Sequence, residues 1–133
     1  MAKISRDDIK QRGFKRFLRS FKFSMEGLVY AYRYEQSMLV HFIFTILVLA
    51  LNILLHVDST GWLITIMMLV VTLAAELVNT AIEAIVDLVT LEIHPLAKIA
   101  KDCGSAATFV LSLMSFVLSL IIYIPQAIEV LGL

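Results

Sequence analysis

The sequence has few of the residues that shape small secreted proteins or flexible multidomain chains. Among its 133 residues are one cysteine, two prolines and five glycines. A single cysteine excludes an intrachain disulfide, and there is no internal repeat and no proline- or glycine-rich linker. Neither a P-loop nor a GxGxxG motif occurs, which excludes the soluble folds that bind phosphate through such loops. Residues 1–133 are therefore expected to form a single domain.

Apolar residues dominate the chain, at 60% of the total, which is too high for an ordinary soluble fold. Three stretches, residues 37–55, 61–89 and 103–124, are long enough to cross about 30 Å of hydrocarbon as helices. The first and third of these stretches contain no Asp, Glu, Lys or Arg. We therefore predict an all-α integral membrane protein with three transmembrane helices.

The region before the first span, residues 1–36, has a different pattern. Between Phe14 and Leu28, apolar residues recur at helical spacing and basic residues lie between them: Lys15, Arg16, Arg19 and Lys22. An amphipathic helix of this kind lies in the membrane interface with its basic face toward anionic headgroups. The sequence thus predicts a surface helix in front of the three spans.

The basic residues are distributed unevenly along the chain. Lys98 and Lys101 lie between the second and third spans, and all other basic residues precede the first span: Lys3, Arg6, Lys10, Arg12, Lys15, Arg16, Arg19, Lys22 and Arg33. The turn HVDSTG and the tail PQAIEVLGL contain neither Lys nor Arg. By the positive-inside rule, the N-terminus and the loop at residues 90–102 are cytoplasmic. The protein is expected in the cell membrane with its C-terminus outside.

The end of the second span, AELVNTAIEAIVDLV, contains polar residues where lipid-facing ones would be expected. Glu76, Asn79, Thr80, Glu83 and Asp87 fall on one face of a helix. Ionisable groups at such depth are costly, so they should face the bundle interior or a watery cleft. Three carboxylates on one face repel each other unless a metal ion or basic side chains lie among them.

The segment HPLAKIAKDCGSAA supplies basic partners for this stripe. It follows the second span and places small residues, from Gly104 to Ala107, where two helices could approach closely. Four acidic side chains and two lysines are expected at one level of the bundle: Glu35, Glu83, Asp87, Asp102, Lys98 and Lys101. Carboxylate oxygens suit a hard cation and lysine suits phosphate, so this cluster could bind a magnesium nucleotide.

Other interpretations of these residues are open. Glu35, Lys98 and Asp87 could be interfacial ion pairs, an interpretation that fits the deeper Glu76 poorly. His41 and His56, near the ends of spans, are expected to snorkel or to form hydrogen bonds rather than to act as ligands.

A different class of function, an oligomeric proton or cation conduit, would use the acidic stripe to line a pore. The first and third spans offer almost no polar residues for a path beyond Glu76, so Thr65 and Thr72 alone would have to line it. A membrane scaffold is a third alternative, and it leaves Glu76 unexplained.

The segments ELVNTAIEAIVD and HPLAKIAKDCGSAA, together with the upstream Glu35, resemble the small integral-membrane lipid kinases of the prokaryotic diacylglycerol kinase and undecaprenol kinase family. The resemblance covers nearly the whole chain. The HPLAK loop and the YIP ending at Tyr123 to Pro125 are more similar to the Gram-positive undecaprenol kinase branch. The family resemblance implies ATP- and Mg²⁺-dependent phosphorylation of a lipid alcohol, with undecaprenol as the expected acceptor and diacylglycerol as the alternative. It also implies a homotrimer with shared sites, and no nucleic-acid partner.

The resemblance also implies roles for individual residues. Glu76 would take the proton from the lipid hydroxyl, and Glu35 and Glu83 would hold magnesium. The implied ATP contacts are Arg16, Glu35, Glu83, Glu92, Ile93, His94, Lys101 and Asp102. The implied lipid contacts are Arg16, Phe23, Met25 and Glu76, with Asn79 and Asp87 in support. Met25 departs from the bulky aromatic residue that the family has at this position.

The predicted orientation can be tested directly. Since all eleven basic residues lie on one side in this topology, a reporter fused after Leu133 should be extracytoplasmic. A reporter inserted in the loop at residues 90–102 should be cytoplasmic and serves as the control. A cytoplasmic C-terminus would refute the three-span topology.

Overall fold

The computed structural model describes residues 13–132, apart from the side chain of Lys15. Within this part of the chain all regular secondary structure is helical: α1 Phe14–Tyr34, α2 Gln36–Leu54, α3 Ser59–Val89 and α4 Pro95–Leu131. Helices α2, α3 and α4 are each long and apolar enough to cross a membrane. The predicted all-α membrane fold with three candidate spans is confirmed. The basic residues Lys3, Arg6, Lys10 and Arg12, which contributed to the predicted orientation, lie outside the described residues.

The surface helix is longer than its apolar pattern predicted. Helix α1 continues past Leu28 to Tyr34 and has a basic residue, Arg33, in its last turn. Glu35 alone separates it from α2, and its backbone is extended, with φ −103° and ψ 117°. One non-helical residue is enough to change the direction of the chain between two helices. Glu35 therefore lies at the junction between the surface helix and the first span.

The two longest helices begin with well-defined caps. The Asp58 carboxylate accepts a hydrogen bond from the Gly61 nitrogen at 2.9 Å, which satisfies a free N–H at the start of α3. At α4, the His94 Nδ1 accepts from the Leu96 nitrogen at 3.2 Å. Pro95 follows His94 at the first helical position, where its missing N–H has no cost.

The third predicted span ends at residue 124, directly before Pro125, but the helix does not end there. Helix α4 continues through Pro125 to Leu131 and ends at Gly132, whose φ of 68° is left-handed. A proline removes the hydrogen bond of its own nitrogen, but the bonds on either side can persist, so a long helix can continue through it.

Helices α3 and α4 form an antiparallel pair and make the most extensive contact in the described chain. The pairing is visible in contacts whose partners run in opposite directions, such as Thr72 with Ser115 at 3.1 Å and Asp87 with Lys101 at 2.6 Å. Helices α1 and α2 contact this pair more sparsely.

The interior of the described chain is more polar than its exterior. Its buried polar side chains are Asn52, Thr65, Thr72, Glu76, Asn79 and Thr80, whereas the buried apolar ones are Ala31, Met38 and Val57. Large apolar side chains cover the outside of every helix. This arrangement suits a protein whose exterior faces lipid, because polar groups must then find partners inside.

A hydrogen-bonded network joins three helices at the end of the bundle that holds the α2–α3 turn. Asn52 on α2 is 1% exposed, and its Nδ2 donates to Thr65 Oγ1 on α3 at 2.7 Å. The Tyr123 hydroxyl on α4 donates to Asn52 Oδ1 at 2.9 Å. One amide thus uses both its donor and its acceptor to hold α2 against the α3–α4 pair.

This network predicts a specific order of stabilities. Tyr123→Phe removes one interhelical hydrogen bond, which in membrane proteins costs about 0.6 kcal/mol on average and at most about 1.7 kcal/mol. Asn52→Leu should cost more, because it removes two interhelical hydrogen bonds, and leaves the Tyr123 hydroxyl only the Val48 carbonyl at 3.3 Å and Thr65 Oγ1 only the Trp62 carbonyl at 3.0 Å. The measurement is reversible unfolding in one detergent.

The control is Tyr30→Phe, the same chemical change at an exposed position on α1. In the Asn52→Leu background, Tyr123→Phe should destabilise the protein less than in the wild type, because only the longer contact to the Val48 carbonyl, at 3.3 Å, then remains to be lost. Fully additive costs would show that Asn52 is not the main partner of the tyrosine.

Candidate functional site

The polar stripe on α3 runs from the protein interior to its exposed end. Glu76 is 5% exposed and Asn79 and Thr80 are also buried, whereas Glu83 is half-buried and Asp87 is exposed. The predicted face is therefore confirmed as a continuous polar path along one helix. A carboxylate at its buried end and charged groups at its exposed end can meet an apolar and a water-soluble reactant respectively.

The middle of the stripe depends on a close approach between α3 and α4. Asn79 Nδ2 donates to Glu83 Oε1 at 3.0 Å, one helical turn away. Gly104 on α4 faces this amide so closely that a Cβ there would overlap Asn79 Oδ1. The predicted role of the small residue is thus confirmed, since glycine lets Asn79 lie against α4 without moving its amide. Asn79 Oδ1 itself is buried and has no hydrogen-bond partner.

Two ion pairs lie at the exposed end of the site. Lys101 Nζ on α4 is 2.6 Å from Asp87 Oδ1 on α3, and Lys98 pairs with Asp102 within α4. The interfacial ion pairs considered for Lys98 and Asp87 are therefore present. Ion pairs that face solvent contribute little to stability. Either lysine can consequently exchange its carboxylate for a phosphate at small cost.

The structure does not gather all the predicted carboxylates. In residues 13–132, no group of three or more His, Cys, Asp or Glu side chains is close enough to hold a metal ion. Glu35 lies half-buried at the α1–α2 junction rather than in such a group. The four acidic side chains predicted at this level therefore do not form a metal-binding group within the described residues.

The remaining predicted contacts lie on the surface. Glu92 and Ile93 are exposed in the loop between α3 and α4, and Ile93 is 100% exposed. The loop is ordered by its own hydrogen bonds, since Thr90 Oγ1 accepts from the Glu92 nitrogen at 3.1 Å and His94 caps α4. The α1 residues implied in lipid or nucleotide binding are all exposed: Arg16, Phe23 and Met25.

One neighbour of the site was not predicted from the sequence. His41 on α2 places Nε2 3.8 Å from Glu76 Oε2 on α3. The signal was present in the spacing, because His41 is six residues beyond Glu35 and Glu76 is seven residues before Glu83. At about 1.5 Å per residue, these two offsets reach nearly the same depth.

Comparison with known proteins decides the family of the chain. The sequence model described as prokaryotic diacylglycerol kinase matches residues 22–123, which include α2, α3 and the polar stripe. The chain belongs to this family. It is therefore a lipid kinase, an enzyme that transfers phosphate from ATP. The resemblance inferred from the sequence motifs is confirmed.

Several named relatives resemble this lipid kinase over most of their length. It is 34% identical over 111 residues to the undecaprenol kinase of Bacillus subtilis (strain 168), covering 84% of this chain and 90% of that protein. It is 40% identical over 100 residues to the diacylglycerol kinase of Pseudomonas aeruginosa, covering 75% and 81%. The diacylglycerol kinase of Escherichia coli (strain K12) is 32% identical over 98 residues, covering 74% and 80%. The match to the undecaprenol kinase is longer and the match to the Pseudomonas aeruginosa diacylglycerol kinase has the higher identity, so similarity alone does not identify the lipid substrate.

The contact between Gly104 and Asn79 predicts a sensitive position in this kinase. In Gly104→Ala the added methyl group would overlap Asn79 Oδ1, so the amide must move and disturb its bond to Glu83. Misplacement of a site by about 1 Å can cost about 100-fold in rate, and we expect a loss of about 10- to 100-fold in lipid phosphorylation.

The matched control is Gly27→Ala on α1, where an added methyl group would meet nothing within 4 Å. In an Asn79→Ala background, Gly104→Ala should cause little further loss, because the displaced amide is already absent. A wild-type rate in Gly104→Ala, or an undiminished loss in the Asn79→Ala background, would contradict this role.

Proposed function

We propose that this kinase phosphorylates undecaprenol to undecaprenyl phosphate at the cytoplasmic face of the membrane, with diacylglycerol as the alternative acceptor. The observation that supports this most is the buried Glu76 at one end of a polar stripe whose other end carries the exposed Asp87–Lys101 pair. Such a path joins a hydroxyl held in the membrane to a phosphate donor held in water. The HPLAK loop and the YIP sequence favour undecaprenol, the substrate in the name of the Bacillus subtilis relative.

Glu76 is proposed as the general base. As the lipid oxygen attacks the γ-phosphorus of ATP, its proton passes to the Glu76 carboxylate, the bond to the β-phosphate oxygen breaks and ADP leaves. Phosphoryl transfer depends mainly on alignment and charge neutralisation, so a small set of side chains on helices is sufficient. A base in the interior of a membrane protein can reach a lipid alcohol without drawing it into water.

The donor set on α3 suits magnesium. Glu83 uses one carboxylate oxygen to accept from Asn79, and the buried Asn79 Oδ1 is unpaired, so the surroundings offer hard oxygen ligands. Magnesium is commonly bound by one or two carboxylates together with substrate phosphates, so it does not need a larger cluster of protein ligands. Glu35 and Glu83 would hold it, and the bound ion would neutralise charge on the ATP phosphates.

The other proposed roles follow from position. Lys101 and Asp102 would contact the nucleotide at the exposed end of the stripe, and residues 92–94 would lie near its base and ribose. Asn79 would support Glu83 and Asp87 would support Lys101, as their contacts indicate. Three exposed residues of α1 would line the lipid cleft: Arg16, Phe23 and Met25. Arg16 would also lie near the nucleotide.

We also propose that the enzyme works as a homotrimer with shared sites, with the N-terminus and active site cytoplasmic. Residues 92–94 are exposed, and within residues 13–132 Glu35 belongs to no metal-binding group of carboxylates, which supports completion of the site by a neighbouring chain. The conduit alternative is disfavoured by the hydrogen bonds of Thr65 and Thr72 to Asn52 and Ser115, because these bonds occupy the polar groups that would have to line its path.

The acceptor is tested by side-by-side assays of undecaprenol and diacylglycerol with labelled ATP in the same bilayers. We expect the higher kcat/KM with undecaprenol. A higher value with diacylglycerol would assign that lipid instead. The division of roles on α3 is tested in the same assay with Glu76→Gln and Glu83→Gln.

Glu76→Gln keeps the size of the side chain but cannot accept the hydroxyl proton, so turnover should fall by about 10²- to 10⁴-fold while nucleotide binding survives. Glu83→Gln should weaken magnesium-nucleotide binding, because a neutral amide is a poorer ligand for a hard cation. Its defect should ease as magnesium is raised, whereas that of Glu76→Gln should not. Equal loss of nucleotide binding in both variants, or near-normal phosphorylation by Glu76→Gln, would overturn these roles.

A further inference from the structure

A carboxylate in the position of Glu76 needs a partner. Its side chain is 6% exposed and lies in an apolar stretch of α3. To accept a proton it must first be ionised, and a buried ion is unstable unless another charge or a hydrogen-bond donor compensates it. The nearby structure must therefore supply that compensation.

The lysines of the site are too far along the bundle to do so. Lys101 is engaged with Asp87, which lies eleven residues after Glu76 on α3. That offset corresponds to about 16 Å of helix. Lys98 is engaged with Asp102 at the same exposed end of the site. Neither lysine serves the buried end of the stripe.

The group that does lie beside Glu76 is the imidazole of His41. Its Nε2 is 3.8 Å from Glu76 Oε2, and its side chain is 22% exposed. This separation is slightly longer than a hydrogen bond, and catalytic hydrogen bonds commonly shorten when substrates bind. The imidazole reaches Glu76 from α2, the helix that begins directly after Glu35. It can therefore act on the base without belonging to the nucleotide site.

We propose that His41 is a positioning residue for Glu76: its Nε2–H donates to the Glu76 carboxylate and aims the other carboxylate oxygen at the lipid hydroxyl. The inference rests on the proposed role of Glu76 as the base. The proton taken from the lipid ends on Glu76, and His41 keeps its own. The lipid hydroxyl, Glu76 and His41 would thus act in series: His41 orients Glu76, and Glu76 activates the hydroxyl.

The variants are chosen by where they place a donor. His41→Leu removes the imidazole, and His41→Gln carries an amide nitrogen where Nε2 lies. The asparagine of His41→Asn is one carbon shorter, so its amide lies at the position of Nδ1 and does not reach Glu76. The control is His56→Asn, because His56 is the other histidine near a span end and its φ of 49° suits asparagine.

The expected result is a loss confined to turnover. His41→Leu and His41→Asn should lower kcat by about 10- to 100-fold, by analogy with the loss of residues that orient metal ligands. KM for ATP should stay within about twofold, since ground-state binding is not involved. His41→Gln should restore most of the rate, and His56→Asn should be unaffected. The assay uses the full chain in bilayers with whichever of the two lipids the wild-type protein phosphorylates faster.

A double-mutant cycle separates action through Glu76 from a packing role. In a Glu76→Gln background, His41→Leu should cause little further loss, because the group it orients is no longer a base. Multiplied losses, equal rates for His41→Gln and His41→Asn, or a normal kcat in His41→Leu would each overturn the proposal for His41. If His41→Leu does not assemble, the contrast between Gln and Asn still decides.

The two proposals fail in distinguishable ways. Near-normal activity of the single variant Glu76→Gln would refute the role of Glu76 as the base, and with it the role of His41. An inactive Glu76→Gln combined with unaffected His41 variants would leave the proposed function intact and refute only the positioning role.

Discussion

The burial of a carboxylate within a membrane-spanning helix is the constraint from which the rest of the structure follows. Ionised groups cannot face lipid without a large cost, so Glu76 must point into the bundle. Once Glu76 faces inward, helical periodicity brings Asn79, Thr80 and Glu83 to the same side. The apolar residues of α3 are then left to face outward, which gives a polar interior and an apolar exterior.

The close contact between α3 and α4 turns this stripe into a defined site. Gly104 allows Asn79 to lie against the α4 backbone, and Asn79 in turn holds Glu83. The same antiparallel alignment brings Lys101 to Asp87 at the end of the pair. At the opposite end, the Asn52 amide joins α2 to both helices. Small side chains and interhelical hydrogen bonds thus hold the helices together, as hydrophobic burial does in proteins in water.

The gradient of exposure along α3 is what suits this family of enzymes to its chemistry. A lipid kinase must bring an acceptor that stays in the membrane to a donor that stays in water. Buried polar groups are held in fixed positions, whereas the exposed ion pairs are weak and can exchange partners. The proposed base is therefore held in a fixed position, and the proposed phosphate contacts are free to change partners.

Much of this organisation could be predicted from the sequence. Hydropathy located the three spans, helical periodicity located the stripe, and two motifs with Glu35 identified the family. These are properties of single helices or of local spacing, so no contact between helices is needed to recognise them. Even there, α1 continued beyond its apolar pattern and α4 continued through Pro125, because helix ends depend on backbone hydrogen bonds as well as on side-chain pattern.

The partners of individual side chains were decided only by the tertiary structure. The sequence placed Lys101 and Asp87 at one level, but their pairing depends on how α3 and α4 are rotated about their axes. The spacing of His41 from Glu35 gives its depth, but whether its side chain faces Glu76 depends on how α2 is rotated against α3. A shift of one residue turns a helical side chain by 100°, so contacts between helices are fixed only when the helices pack.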